Sequence, residues 1–100
     1  MKVPENATEF CSFMEMVWHA ESEPAEGGGM VLYMSPHYDR YHHALHTIQL
    51  TPARRTGYTY LDGQPATIFQ FADESRIIVA NNGSACRVTT KPLRARRKAT

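Results

Sequence analysis

Long apolar runs and catalytic motifs are both missing from this 100-residue sequence, and cysteine occurs only twice. No stretch approaches the roughly 20 consecutive apolar residues that a membrane-spanning helix needs. The first residues lack the apolar segment of a signal peptide, because a single lysine is followed directly by Val3, Pro4 and Glu5. We therefore expect a cytoplasmic protein that is not associated with a membrane.

The two cysteines are expected to be reduced, since disulfides are rare in intracellular proteins. Cys11 falls in a predicted helix and Cys86 in a predicted strand, which favours two buried thiols. No serine or cysteine lies in a nucleophile elbow, and the glycines at 27–29 lack the Gly-Lys-Ser/Thr ending of a phosphate-binding loop. We expect a protein that is not an enzyme and that uses no cofactor.

The composition is that of a globular domain, with 42% hydrophobic and 21% charged residues. The net charge of +1 hides an asymmetry, because residues 1–26 hold six glutamates and one lysine whereas residues 91–100 hold five basic residues. The last ten residues contain too few apolar side chains to fold. The expected organisation is one domain over residues 1–90, followed by a flexible basic tail over 91–100.

A helix is predicted near the N-terminus. Asn6 is a favourable N-cap, and Glu9 follows it at the spacing of a capping box. An apolar stripe with helical spacing comes next and consists of Phe10, Phe13, Met14 and Val17. Because Pro24 disfavours helix at the residue before it, the predicted helix spans about 7–22.

The middle of the chain has a less regular pattern. The apolar run at 30–34 follows glycines and predicts a buried strand. Residues 35–43 fit either a short helix that begins at Ser35 and Pro36 or an irregular loop. The residues at 44–50 favour another strand, which ends before Pro52.

An antiparallel β-meander is predicted for residues 57–90. Its strands are segments rich in β-branched and aromatic residues, at 58–61, 66–71, 76–80 and 85–89. Asp62-Gly63 and Asn82-Gly83 lie between strands and favour the positive φ angles of type I′ hairpin turns. A consistent register then places on one core face Tyr58, Tyr60, Phe69, Phe71, Ile77, Val79, Cys86 and Val88.

The expected fold is α+β, with the N-terminal amphipathic helix packed on one face of a four- to six-stranded antiparallel β-meander. Because no catalytic chemistry is apparent, we expect the protein to act by binding a protein partner. A small inhibitor or accessory factor of the kind that phages and plasmids encode fits this size. The unpaired edges of a small sheet also allow a homodimer.

Two surfaces are candidates for contact with a protein partner. The face of the sheet opposite the core has an apolar centre, and exposed apolar patches usually mark a binding site. The helix carries carboxylates that can attract a basic partner. The residues are Leu61, Ile68 and Ile78 on the sheet, and Glu9, Glu15 and Glu21 on the helix.

Nucleic-acid binding is the alternative function. Basic side chains that neutralise phosphates give a salt-sensitive affinity that does not depend on sequence. Tyr58 and Tyr60 can stack on bases if they are exposed. The basic residues are Arg54, Arg55, Lys91, Arg94, Arg96, Arg97 and Lys98.

A histidine cluster suggests a third function, a metal-dependent hydrolase. The cluster consists of His37, His42, His43 and His46. His42 and His46 have the i, i+4 spacing that zinc-binding helices use. However, the glutamate of the catalytic HExxH pattern is missing, and solvated or packed histidines are the simpler interpretation.

Overall fold

The described part of the computed structural model, residues 3–25, 28–34 and 40–89, contains two helices and a six-stranded sheet. The elements are α1 (Ala7–Val17), β1 (Ser22–Pro24), β2 (Met30–Leu32), α2 (Arg40–Leu50), β3 (Arg54–Leu61), β4 (Gln64–Gln70), β5 (Arg76–Ala80) and β6 (Cys86–Thr89). The strand order is β1-β2-β6-β5-β4-β3, and every pair is antiparallel. The predicted α+β fold, with the first helix packed on an antiparallel sheet, is confirmed.

Helix α1 begins where the capping residues predicted. The Asn6 side chain accepts a hydrogen bond of 2.8 Å from the backbone N–H of Glu9. The helix ends at Val17, so the prediction that it continues to residue 22 was wrong. His19 adopts a left-handed φ of 57°, which turns the chain out of the helix before Pro24 can stop it.

A buried serine links the start of α1 to the sheet. The backbone N–H of Ala7 donates to Ser75 Oγ at 2.9 Å, and the Ser75 hydroxyl donates to Asp73 Oδ1 at 2.6 Å. Ser75 lies in the turn between β4 and β5 and is 2% exposed. The turn therefore satisfies one of the unpaired N–H groups at the helix N-terminus.

The strand predicted for residues 44–50 was wrong, because these residues belong to α2. Ala44, Thr47 and Ile48 have helical spacing, and all three are buried. The Trp18 Nε1–H group donates to Thr47 Oγ1 at 3.0 Å, which fixes α2 against the end of α1. Of residues 35–43, for which a short helix and an irregular loop were both open, 40–43 are helical and 35–39 lie outside the described residues.

The strand registers of the β-meander are confirmed. Ile77 lies opposite Val88, as predicted, and Phe69, which was expected to share a face with Ile77, lies opposite it on β4. Asp62 and Gly63 form a two-residue turn with φ angles of 53° and 79°, in keeping with type I′. The loop between β5 and β6 has four residues, 81–84, instead of the predicted two at 82–83. The backbone N–H of Ala80 donates to the carbonyl of Ala85, so these are the last two residues that pair before the loop.

The core lies between the two helices and strands β2, β6 and β5 of the sheet. Phe10 and Met14 of α1 are fully buried. Helix α2 extends the same core with Ala44 and Ile48. The sheet residues in this core are Leu32, Phe71, Ile77, Val79, Cys86 and Val88.

The β1–β2 hairpin, which extends the sheet beyond β6, was not predicted. Gly29 precedes β2 with a φ of 82°. A Cβ atom at this position would lie 2.2 Å from the carbonyl oxygen of Val88. The hairpin can therefore approach β6 only because residue 29 has no side chain.

Truncation of the α1 core residue Phe10 tests this packing. Phe10→Ala should lower the free energy of unfolding by about 3–5 kcal/mol, because it removes a fully buried ring and leaves a cavity. Met16→Ala, on the exposed side of the same helix, should change it by less than about 0.5 kcal/mol. Urea denaturation followed by the fluorescence of Trp18, the single tryptophan, measures both. Equal effects of the two substitutions would contradict the packing.

Candidate interaction surface

Tyr58 and Tyr60 lie on the core-facing side of β3 and yet are 67% and 74% exposed. The prediction that they belong to the core was therefore wrong. Their register is as expected, since Tyr58 lies opposite Thr67, which shares a face with Phe69. They are exposed because α1 packs against β6 and α2, whereas β3 is the far edge of the sheet. The sheet is wider than the helices that cover it.

We call Arg55, Tyr58, Tyr60 and Thr67 the tyrosine surface. The guanidinium carbon of Arg55 lies 5.9 Å from the centroid of the Tyr58 ring, within the range of a cation–π interaction. Thr67 is held by a hydrogen bond of 2.7 Å between its hydroxyl and Asn81 Oδ1. The surface thus combines two exposed aromatic rings and a guanidinium group on a paired strand.

The two edge strands of the sheet differ in length and in charge. The strand β3 has eight residues and begins with Arg54 and Arg55. The opposite edge, β1, has three residues and ends at Pro24. Glutamates at 21 and 23 make that edge acidic, and the pKa of the nearby Tyr33 is raised, mainly by a hydrogen bond with Glu23.

The outer face of the sheet brings together two of its three predicted contact residues. Ile68 and Ile78 are register partners, and both are half-buried. Leu61 shares this face but lies beside the β3–β4 turn. It is about 13 Å along β3 from Gly57, which is the register partner of Ile68. Ala66 and Ala80, on the same face, have no exposed surface. The outer face is therefore less open than the tyrosine surface.

The three predicted acidic residues do not form one free patch. A Glu9 carboxylate oxygen accepts a bond of 2.9 Å from the backbone N–H of Glu5 at the start of α1. The Glu15 carboxylate accepts a hydrogen bond from the Ser22 hydroxyl, which links α1 to β1. Glu21 is exposed, and its backbone carbonyl accepts from the N–H of Tyr33. Two of the three carboxylates therefore stabilise the fold.

The three described histidines of the cluster lie on two sides of α2. His42 and His46 are exposed, whereas His43 stacks on Trp18 with ring centroids 4.0 Å apart. His37 lies outside the described residues. Among the residues that the structure does describe, no three histidine, cysteine or acidic side chains are grouped as metal ligands. The Trp18 contact was missed in the sequence, although His43 and Thr47 share the helical spacing that produces it.

The remaining candidates are basic residues and thiols. Arg54 and Arg55 are exposed on β3, and Lys91, Arg94, Arg96, Arg97 and Lys98 lie outside the described residues. Cys11 and Cys86 are buried free thiols. Burial raises the pKa of the Cys86 thiol to about 12, and it raises that of Cys11 together with the charge of Glu15. Neither thiol is therefore activated as a nucleophile at neutral pH.

Comparisons with known proteins give no functional information. No protein-family model, curated protein or solved structure matches the chain. Within the described residues, neither helix has the length and apolar character needed to cross a membrane.

Proposed function

We propose that the protein is a non-enzymatic module that binds a protein partner through the tyrosine surface. The observation that carries this proposal is the exposure of Tyr58 and Tyr60 on the face of the sheet that elsewhere forms the core. Because these two aromatic side chains are exposed to solvent, a partner can bury them on binding.

The chemistry of this surface resembles that of protein interfaces. Tyrosine and arginine are enriched at the centres of interfaces and among the residues that contribute most to affinity. A tyrosine ring offers a large contact area but has few rotatable bonds, so it loses little entropy on binding. Tyr58 and Tyr60 are also fixed by a paired strand, and Arg55 lies over one of the rings.

The tyrosine surface is a better anchor than the surfaces expected from the sequence. Ile68 and Ile78 on the outer face are half-buried, so a partner gains less from covering them. Glu9 and Glu15 already accept hydrogen bonds within the chain. A module with this design would act by occupying a surface of its partner, as an inhibitor or an accessory factor does.

Removal of both rings tests the proposal. A Tyr58→Ala/Tyr60→Ala variant should lose at least about thirtyfold in affinity, since even one interface hot spot contributes about 2 kcal/mol or more. The matched control is Met16→Ala/Leu50→Ala, which removes two exposed apolar side chains from the helices. Capture from extracts of the native host, quantified by mass spectrometry, compares the wild type with both variants.

A protein captured by the wild type and the control, but lost with the tyrosine variant, supports the proposal. Equal capture by all three forms contradicts it. The circular dichroism of each variant should match that of the wild type, because the changed side chains lie outside the core.

Single-stranded nucleic acid is a second candidate ligand, and the observation that favours it is again the exposure of the tyrosines. Exposed rings can stack on bases, and stacking contributes about 1–3 kcal/mol per base. Arg54 and Arg55 lie on the same strand and are exposed, so they can contact phosphates. The acidic strand β1 lies at the opposite edge of the sheet from β3, so its carboxylates are far from this surface.

Fluorescence anisotropy with a labelled single-stranded oligonucleotide tests this candidate. If the surface binds nucleic acid, Arg54→Ala/Arg55→Ala should reduce the slope of log affinity against log salt by about 1.4, because two phosphate contacts are lost. Deletion of residues 91–100 should weaken this binding but leave the capture of a protein partner unchanged. No anisotropy change at low salt with the intact chain rejects the candidate.

A further inference from the structure

We infer that two copies of this chain associate through β3, whose outer edge pairs with itself in antiparallel orientation around Thr59. Strand β3 is bonded to β4 on one side, and no described strand pairs with its other side. An open edge of this kind is a template for pairing with another chain. The inference concerns the strand that bears the tyrosine surface, but it does not depend on the proposed function.

The turn at 62–63 determines which backbone groups of β3 point outwards. A two-residue type I′ turn is closed by a hydrogen-bonded pair, here Leu61 and Gln64. Residues 61, 59 and 57 therefore direct their N–H and C=O groups towards β4. Tyr58 and Tyr60 alternate with them, so their backbone groups face away from the sheet.

An independent contact agrees with this assignment. The carbonyl of Pro65 accepts a bond of 2.8 Å from the N–H of Asn81, which follows β5. Pro65 therefore faces β5, and its neighbours in β4 at 64 and 66 face β3. Since Pro65 lies opposite Tyr60, Tyr60 does not bond β4 and must present its backbone groups outwards.

The regular part of this edge has defined ends. The register shifts between Arg55 and Gly57, which marks a β-bulge at residue 56, and the turn begins at Asp62. The regular edge is thus 57–61, and its centre is Thr59. Two copies that overlap along its full length must pair symmetrically about that residue.

This register is complementary to itself. Tyr58 of each copy lies opposite Tyr60 of the other, so the outward backbone groups of both residues are satisfied across the interface. Aromatic cross-strand pairs of this kind stabilise a sheet. Asp62 directly follows the paired segment of one copy at the end where Arg55 precedes that of the other, so residues of opposite charge flank the segment at both ends.

The contact closes as a dimer instead of extending into a filament. Both copies use the same strand, which makes the interface isologous. The remaining edge, β1, is only three residues long and contains Glu23 and Pro24, two residue types that protect an edge from pairing. The dimer has a continuous sheet, with four tyrosines on one face and the two Thr59 side chains together on the other.

Charge substitution at Thr59 tests the dimer without changing a tyrosine. In the inferred register, Thr59 of one copy lies directly opposite Thr59 of the other. Directly opposed residues have Cβ atoms about 5 Å apart, so like charges at this position repel each other. Light scattering during gel filtration should give twice the mass of one chain for the wild type. The control Ser12→Lys, which adds the same charge at an exposed position of α1, should give the same dimer mass. Thr59→Lys alone and Thr59→Glu alone should each be monomeric, and their mixture should recover the dimer mass.

A monomeric wild type, a dimeric Thr59→Lys variant, or a mixture that stays monomeric would each overturn the inference. These masses are measured with purified protein and no partner, so failure here leaves the proposed function untouched. Conversely, loss of partner capture by the tyrosine variant says nothing about the mass of the wild type.

Disulfide trapping gives a second test that holds even if Thr59→Lys fails to fold. Non-hydrogen-bonded antiparallel pairs have Cα atoms about 4.5 Å apart, within the range that a disulfide spans. Under mild oxidation Thr59→Cys should form a covalent dimer, and Ser12→Cys should not. Cys11 and Cys86 are buried and provide no competing thiol. Absence of the Thr59→Cys dimer contradicts the inference.

Discussion

The structure depends on the packing of α1 over one part of a sheet that is wider than the helices. Phe10 and Met14 are fully buried in the core to which Ile77, Val79 and Val88 contribute from the central strands. Burial of apolar surface is the main favourable term in folding, and here it is concentrated on the β2, β6 and β5 side of the sheet. The β3 edge consequently projects beyond the helices with its aromatic residues uncovered.

This arrangement separates the parts of the molecule that stabilise the fold from the parts that can bind. Near the core, Ser75 and Asn6 accept hydrogen bonds from backbone N–H groups at the start of α1. Glu15 accepts a hydrogen bond from Ser22 and so connects α1 with β1. The exposed rings of Tyr58 and Tyr60 have no comparable role in the core. They lie on a strand paired with β4 along its length, so a partner meets a surface with a defined shape. Preorganisation of this kind lowers the entropy lost on binding.

Local sequence signals predicted the elements whose determinants are themselves local. Asn6 identified the start of α1, and Asp62-Gly63 identified a hairpin from which the strand registers follow. Helix α2 was mistaken for a strand because Thr47 and Ile48 are β-branched. The contacts of Thr47 and His43 with Trp18 join residues far apart in sequence, and a local pattern does not contain them.

The candidate site was only partly predictable for a related reason. Alternation along β3 shows which face Tyr58 occupies, but it does not show how far the helices extend over that face. The exposure of the tyrosines therefore required the three-dimensional arrangement, as did the use of Glu9 and Glu15 within the chain. The basic tail was visible in the sequence, but residues 91–100 lie outside the described part of the structure.

Hydroxyl-radical footprinting of the folded protein tests most directly whether the helices leave the tyrosine surface exposed. If the helices stop short of β3, Tyr58 and Tyr60 should be oxidised nearly as fast as in the urea-unfolded chain, whereas Phe10 and Met14 should be strongly protected. Met16, which is 74% exposed, provides an internal reference for full access. Protection of both tyrosines to the level of Phe10 would contradict the account.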